Sequence, residues 1–258
     1  MIPKIIHYCW FGKKELPQEY KKYMESWRKY CPDYEIVRWD ESNFDISEND
    51  YCREAYEAGK WAFVSDYARL KIVYELGGIY LDTDIELLKP LDDLIVDGTG
   101  FIGFQNKEQV ATGLGFAAEA KNICVKNMLD MYEGIHFITE KNEMDLIPCP
   151  VRNTVALKQC GLRTGKASQD IQMLNGMRVL PIEYLNPLDF DTRQLKVGIN
   201  SYAIHHYSES WVSSKKSKLK VIKRFMPKFL LDLRTRKMSE RDSKKCKEDN
   251  KWVCKNEC

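Results

Sequence analysis

Apolar positions follow two alternating periods along the first ninety residues. Ile2 to Trp10 is a short run rich in β-branched and aromatic side chains and predicts a buried first strand. From Leu16 to Tyr30 the apolar and aromatic residues stand at 16, 20, 23, 24 and 27, the spacing of one helix face, and Cys31-Pro-Asp ends the run. Tyr34 to Trp39 alternates as a second strand, and Tyr51 to Ala58 predicts a short helix. Trp61 to Leu76 is the clearest helix, with Ala62, Leu70, Val73 and Leu76 on an apolar flank and Gly77-Gly78 closing it. Ile79 to Leu87 returns to strand character. The alternation continues through 101–104, 121–133 and 152–160, with a late strand at Ser201 to His206. Such a pattern argues for an α/β domain with a mainly parallel sheet. No internal repeat is visible.

Composition narrows the class. The 258 residues, 44% hydrophobic, suffice for one large domain or a domain with an appendage. Six Trp, 14 Tyr and 10 Phe spread along the chain exclude low-complexity disorder. No apolar stretch approaches the roughly 18 residues of a membrane span. Met1 to His7 lacks the charged leader and apolar run of a secretory signal, so a cytoplasmic protein is expected. The nine cysteines, an odd number without a Cys-x-x-Cys pair, suit reduced thiols better than a disulfide framework. Cys246, Cys254 and Cys258 lack a fourth ligand for zinc.

The net charge of +2 hides an asymmetry. Residues 213–258 hold 16 of the 40 basic and 6 of the 38 acidic residues, leaving 24 basic and 32 acidic residues for 1–212. The boundary is therefore drawn after 212, between an acidic body and a basic tail. In the tail, Leu219, Ile222, Met226, Phe229 and Leu233 recur at helical spacing among Lys218, Lys220, Lys223, Arg224 and Lys228, a pattern suited to an anionic membrane surface. Docking on the body, or a partner interface, is the alternative. Pro227 would bend such a helix, and the stretch after Met238 is expected to be disordered. The acidic body disfavours nucleic acid as a partner.

The segment Ser65 to Asp84 carries the chemistry. On an extended strand Tyr80, Asp82 and Asp84 would share a face. Two neighbouring carboxylates need a positive charge beside them, and a hard divalent cation supplies it. The bland alternative is a solvated strand end. Asp66 and Arg69, at i, i+3 spacing, share a face of the preceding helix; by themselves they could be an ordinary ion pair.

The block Ser65-Asp66-x-x-Arg69-(seven residues)-Gly77-Gly78-Ile-Tyr80-x-Asp82-x-Asp84 resembles the sugar-binding DXD region of glycosyltransferase family 32, which includes bacterial capsular-polysaccharide transferases and, more distantly, the large clostridial glucosylating toxins. Ile2 to Gly12 resembles that family's opening strand, and Ala203-Ile-His205-His206-Tyr-Ser-Glu-Ser210-Trp211 its closing signature. Together they bracket 1–212. The resemblance implies a GT-A type fold, a Rossmann-like mixed sheet flanked by helices. It also implies a nucleotide-sugar donor (UDP-linked most often), Mn²⁺ or Mg²⁺, retention of anomeric configuration, and a glycan or lipid-linked glycan acceptor.

Roles follow residue by residue. Trp10 would stack on the base, Asp66 and Arg69 would grip the sugar, and Ser65 and Tyr80 would lie beside the sugar-diphosphate. Asp82 would contact ribose or sugar and assist the metal, and Asp84 would bind it directly. Of the adjacent histidines only one can face the acids on a strand, and His206 is preferred as third ligand over His205. Ser210 and Trp211 would close over the diphosphate. Pro148 to Asn153 departs from the family's Gly-Pro turn, on the acceptor side. Thr112-Gly-Leu-Gly-Phe116 is too weak to be a dinucleotide loop. Two rivals remain at this level. One is an Asp-dependent phosphohydrolase, although Ile85-Glu86 follows the acids where such enzymes want Thr or Val. The other is a non-catalytic membrane-surface adaptor. With an acceptor on lipid, the enzyme would sit peripherally on the inner face of the cell membrane.

Overall fold

The computed structural model describes residues 1–208 and 228–249. Among the described residues nine strands and seven α-helices form the fold: β1 (Ile5–Cys9), α1 (Gln18–Tyr30), β2 (Glu35–Trp39), α2 (Asp50–Glu57), α3 (Trp61–Leu76), β3 (Gly78–Tyr80), β4 (Ile85–Leu87), β5 (Gly100–Asn106), β6 (Gln109–Ala118), α4 (Ile123–Asp130), α5 (Cys149–Gln159), β7 (Gln172–Leu174), β8 (Met177–Leu180), α6 (Ile182–Leu185), β9 (Ala203–His205) and α7 (Lys228–Asp249). Seven strands make one sheet in the order β2-β1-β3-β6-β5-β8-β7, and β4 pairs with β9 in a small second sheet. β1 is parallel to β2 and β3, and β5 to β8; β6 is antiparallel to both its neighbours, and β7 to β8. Five strands thus run one way, β6 and β7 the other. The α/β domain with a mainly parallel sheet that the alternation predicts is present, and with β6 and β7 reversed it is the Rossmann-like mixed sheet flanked by helices that the resemblance implies.

Strand alternation sends side chains into two cores. Ile6, Ile79, Phe101 and Ala117 join Trp27 of α1 on one face. Tyr80, Ile102 and Phe116 join Leu70 and Val73 of α3 and Met128 of α4 on the other. α3 stops where Gly77, at φ +70°, donates its N–H to the Val73 carbonyl at 2.9 Å. Gly78, at φ +102°, follows at once, and a Cβ there would stand 2.9 Å from the His7 ring. The two glycines therefore let a buried helix pass directly into a buried strand.

Three expectations change. The run Ile79–Leu87 is two strands, because the Ile85 N–H donates to the Asp82 carbonyl at 3.0 Å and closes a turn over both acids. The longest strand, β6, has no counterpart in the sequence reading. Its Gly- and Ala-rich segment is buried on both faces and does not alternate. The expected disorder after Met238 is replaced by helix up to Asp249. α7 packs against α5, burying Leu231, Ser239 and Cys246 on a face of mostly small residues that an apolar stripe does not reveal. Leu233 stays exposed. Leu219, Ile222 and Met226 lie outside the described residues. The seven described cysteines form no disulfide, and no described helix is long and apolar enough to cross a membrane.

Candidate active site

The parallel strands β1 and β3 end side by side, with His7 paired to Tyr80 and the Leu81 N–H donating to the His7 carbonyl at 3.0 Å. The crevice beyond the carboxyl ends of such strands is where open α/β sheets bind ligands. His7 is itself a structural element. Its Nδ1 accepts from the Trp39 indole at 3.1 Å and its Nε2 faces the Gly77 carbonyl at 3.0 Å, so the ring is neutral with its proton on Nε2.

α3 delivers Asp66 and Arg69 to this crevice on one face, as their spacing predicts. Arg69 Nη2 lies 3.0 Å from Asp66 Oδ1 and 3.4 Å from Asp82 Oδ1. Its Nε donates to the Ser65 carbonyl at 3.0 Å, so Ser65 acts here through its backbone. The guanidinium lies 5.0 Å from the centre of the Tyr80 ring, and the Tyr80 hydroxyl donates to Asp82 Oδ1 at 2.9 Å. Arg69 is thus held from four directions.

Asp82 and Asp84 converge although they sit in a turn rather than on a strand. The Ser208 N–H donates to Asp84 Oδ2 at 2.9 Å, and His205 Nε2 lies 3.2 Å from Asp84 Oδ1. Asp82, Asp84 and His205 each offer a ligand atom within 4.8 Å of the others. His205 Nδ1 is buried without a hydrogen-bond partner. Two carboxylates and an imidazole suit a divalent ion such as Mn²⁺ or Mg²⁺.

The preference for His206 is corrected. β9 pairs antiparallel with β4, His205 opposite Ile85, and consecutive strand residues point to opposite sides. His205 therefore faces the acids. His206 turns away, stacks on Tyr23 with ring centres 4.1 Å apart, and meets Glu86 Oε2 at 2.8 Å.

The electrostatics separate the acids. Burial raises the pKa of Asp66 and of Asp82, with Arg69 opposing it in both cases. Burial would also raise Asp84, but His205 and the Ser208 N–H outweigh it and pull the group down to about 2. Burial would lower His205, yet the Asp84 carboxylate outweighs it and the net direction is upward. Three carboxylates thus face one guanidinium and one imidazole, a surplus of negative charge in a largely buried place.

Trp10 stands at the exit of β1. Its indole donates to the Lys14 carbonyl at 2.7 Å and its ring meets Tyr20 edge-on at 5.6 Å. The Tyr20 hydroxyl contacts the Ser208 carbonyl at 3.4 Å, which joins Trp10 to the Asp84 side of the crevice. Ser210 and Trp211 lie outside the described residues.

Two contributors escape sequence reasoning. Gly113 of β6 passes so close that a Cβ there would lie 2.6 Å from Asp82 Oδ2 and 3.1 Å from Arg69 Nη1. Glycines at 113 and 115 in one strand are the signal, since glycine inside a strand marks close approach by another group. Cys149, at the start of α5, places its sulfur 4.0 Å from Arg69 Nη1 and 3.9 Å from Thr112 Oγ1. Nothing in its local sequence announces this.

Residues 17–100 match the family described as the glycosyltransferase sugar-binding region containing a DXD motif. The chain therefore carries a DXD-type sugar-binding region, and the resemblance read from Ser65 to Asp84 holds. Several glycosyltransferases are similar to part of the chain. Inositol phosphoceramide mannosyltransferase 3 of Schizosaccharomyces pombe is 36% identical over 36% of this chain and 27% of its own length. An uncharacterized glycosyltransferase, L373, of Acanthamoeba polyphaga mimivirus is 36% identical over 42% of this chain and 45% of its own. Lactosylceramide 4-alpha-galactosyltransferase of Pan troglodytes is 27% identical over 58% of this chain and 41% of its own. The chain spans less than half the length of each of these relatives.

Proposed function

We propose that the protein is a retaining glycosyltransferase that moves a hexose from a UDP-sugar to a glycan or glycolipid acceptor, a surface glycan on a lipid carrier being the form expected. The observation that carries this reading is the convergence of Asp82, Asp84 and His205 beside the Asp66–Arg69 couple. Names of relatives support the acceptor class, since two of them act on ceramide-based lipids.

A divalent cation held by Asp82, Asp84 and His205 would supply positive charge at the donor's diphosphate. Arg69, anchored on Asp66, Asp82 and the Ser65 carbonyl, is pre-set for the sugar-diphosphate, and Asp66 accepts from the sugar hydroxyls. Orientation by these rigid groups contributes much of the rate. Trp10 offers a ring face to the base. Among the described residues no side chain takes the part of a covalent nucleophile. The acceptor oxygen attacks the anomeric carbon from the face the diphosphate leaves, the bond from that carbon to the phosphate oxygen breaks, and the acceptor's proton goes to the departing phosphate. The same reading includes a cytoplasmic, peripheral position, with residues 213–258 attracted to anionic headgroups.

A panel of UDP- and GDP-sugars with Mn²⁺, scored by hydrolysis without acceptor, tests the donor assignment. One UDP-sugar is expected to be turned over, and Asp84→Ala to reduce that turnover by about a thousandfold. Near-normal hydrolysis by the Asp84→Ala protein would overturn the assignment.

A further inference from the structure

An apolar ridge stands in solvent beside this site. Between α6 and β9, Leu195, Val197 and Ile199 alternate along the chain and are 52%, 54% and 86% exposed. The segment is nonetheless well tied. The Lys196 N–H donates to the Pro187 carbonyl at 2.9 Å, and the Asp189 N–H to the Gln194 carbonyl at 3.0 Å. The Gly198 N–H donates to Ser201 Oγ at 3.0 Å, and the Lys89 ammonium caps the Ile199 carbonyl. A backbone so ordered, holding three aliphatic side chains in water, forgoes burial that a looser loop could find.

The ridge connects to the catalytic crevice through few contacts. At its foot Asn186 Oδ1 accepts from the Tyr207 hydroxyl at 2.9 Å, and Phe190 meets the Tyr207 ring edge-on at 4.9 Å. Tyr207 in turn packs against His205 at 4.1 Å. Arg193 donates to the His206 carbonyl at 2.9 Å. Charge identifies the occupant. Lys196 lies between the aliphatic residues and makes no ion pair among the described residues; Lys89 holds the Ile199 carbonyl at one end, Arg193 holds the His206 carbonyl at the other, and the acids of the segment, Asp189 and Asp191, stand before the ridge and not in it. Aliphatic side chains interleaved with cations suit the interface of an anionic bilayer. A second copy of the chain fits poorly, because a two-fold contact would set Lys196 and Arg193 against their own counterparts.

We propose that Leu195, Val197 and Ile199 insert into an anionic lipid surface and hold the crevice beside it. This deepens the reading above, on which it rests for the lipid-borne acceptor. A basic tail alone would give attraction that salt screens, whereas inserted side chains give binding that survives salt.

The test is sedimentation of the full chain with phosphatidylcholine vesicles containing phosphatidylglycerol, at low and high salt. Leu195→Ser/Val197→Ser/Ile199→Ser is expected to partition about tenfold more weakly or worse, with its residual binding confined to low salt. Thermal unfolding followed by circular dichroism checks the fold, and Ile199→Ser alone, at the most exposed position, should show a smaller loss in the same direction. Equal sedimentation of all three proteins overturns the proposal. So does a wild-type dimer, without vesicle binding, that the triple variant dissolves. Donor hydrolysis by the triple variant should match wild type, so absence of hydrolysis in every protein would count against the transferase reading and not against the ridge.

Discussion

Two buried arginines sit in opposite electrostatic settings. Arg152 of α5 lies between the rings of Tyr51 and Tyr132, 5.4 and 5.3 Å from their centres, and among the described residues pairs with Asp145 alone. Arg69 also lies against a tyrosine ring, but three carboxylates crowd around it and its neighbour His205. In the first case one charge meets one charge, and the pair welds α5 to the segment before it. In the second the negative charge is in surplus, which costs stability in the isolated chain and makes sense where a cation and a diphosphate are to be held. Balance marks structure here, and imbalance marks the site.

Breaking each setting should separate the two most sharply. Arg152→Met leaves Asp145 buried and unpaired and is expected to lose about 3–5 kcal/mol of stability. Asp82→Asn removes a carboxylate whose ionised form burial disfavours, so its melting temperature should be unchanged or raised while donor turnover falls about a thousandfold. If calorimetry shows Asp82→Asn melting many degrees below wild type, as Arg152→Met should, the contrast is wrong.

Within the site, the adjacent histidines sharpen the same point. His205→Ala is expected to reduce metal-dependent hydrolysis about a hundredfold and to weaken Mn²⁺ binding measured by calorimetry. His206→Ala, which among the described residues loses the Tyr23 stack and the Glu86 contact, should stay within a few-fold of wild type. The reverse order would restore His206 as the ligand. Next in size, Gly113→Ala should lower kcat/KM by up to about a hundredfold, because the added methyl displaces Asp82 and Arg69. Unchanged kinetics in that variant would show that β6 has more room than its path implies.

The smallest effect concerns His7, on the structural side of the comparison. Burial lowers its pKa, with the Gly77 carbonyl partly opposing. A folded-state value below the ordinary imidazole range means the unfolded chain binds the proton first, so stability is full above about pH 6.5 and falls as the pH drops toward the lowered folded value. Melting temperatures between pH 7 and pH 5 should fall less steeply in His7→Gln than in wild type, and identical slopes would remove His7 from the account.

Legibility varied with the range of the determining contacts. α1, α2 and α3 stand within about two residues of their predicted places, because helix periodicity and the closing Cys31-Pro and Gly77-Gly78 signals act over a few positions. The Asp66–Arg69 pairing followed from the helical turn alone. β6 escaped because a strand buried on both faces does not alternate, and α7 because its docking face is built from small residues. The Asp82–Asp84 pair was found for its charges but placed on a strand. The turn that presents it depends on one backbone hydrogen bond that residue type does not encode.

By itself, then, the order of residues settled that α1, α2 and α3 are helical, which acids are paired, and that Ser65 to Asp84 resembles a DXD-type sugar-binding region, since each rests on spacing within one turn or one motif. Tertiary structure alone decided that the His205 ring and not the His206 ring meets the Asp84 carboxylate, that Gly113 leaves room for Asp82 and Arg69, and that Trp10 reaches the same crevice through Tyr20 and Ser208. Those choices depend on side-chain directions where strands and turns far apart in the chain come together. A shift of one residue in the pairing of β9 would reverse the histidines and leave every local pattern untouched.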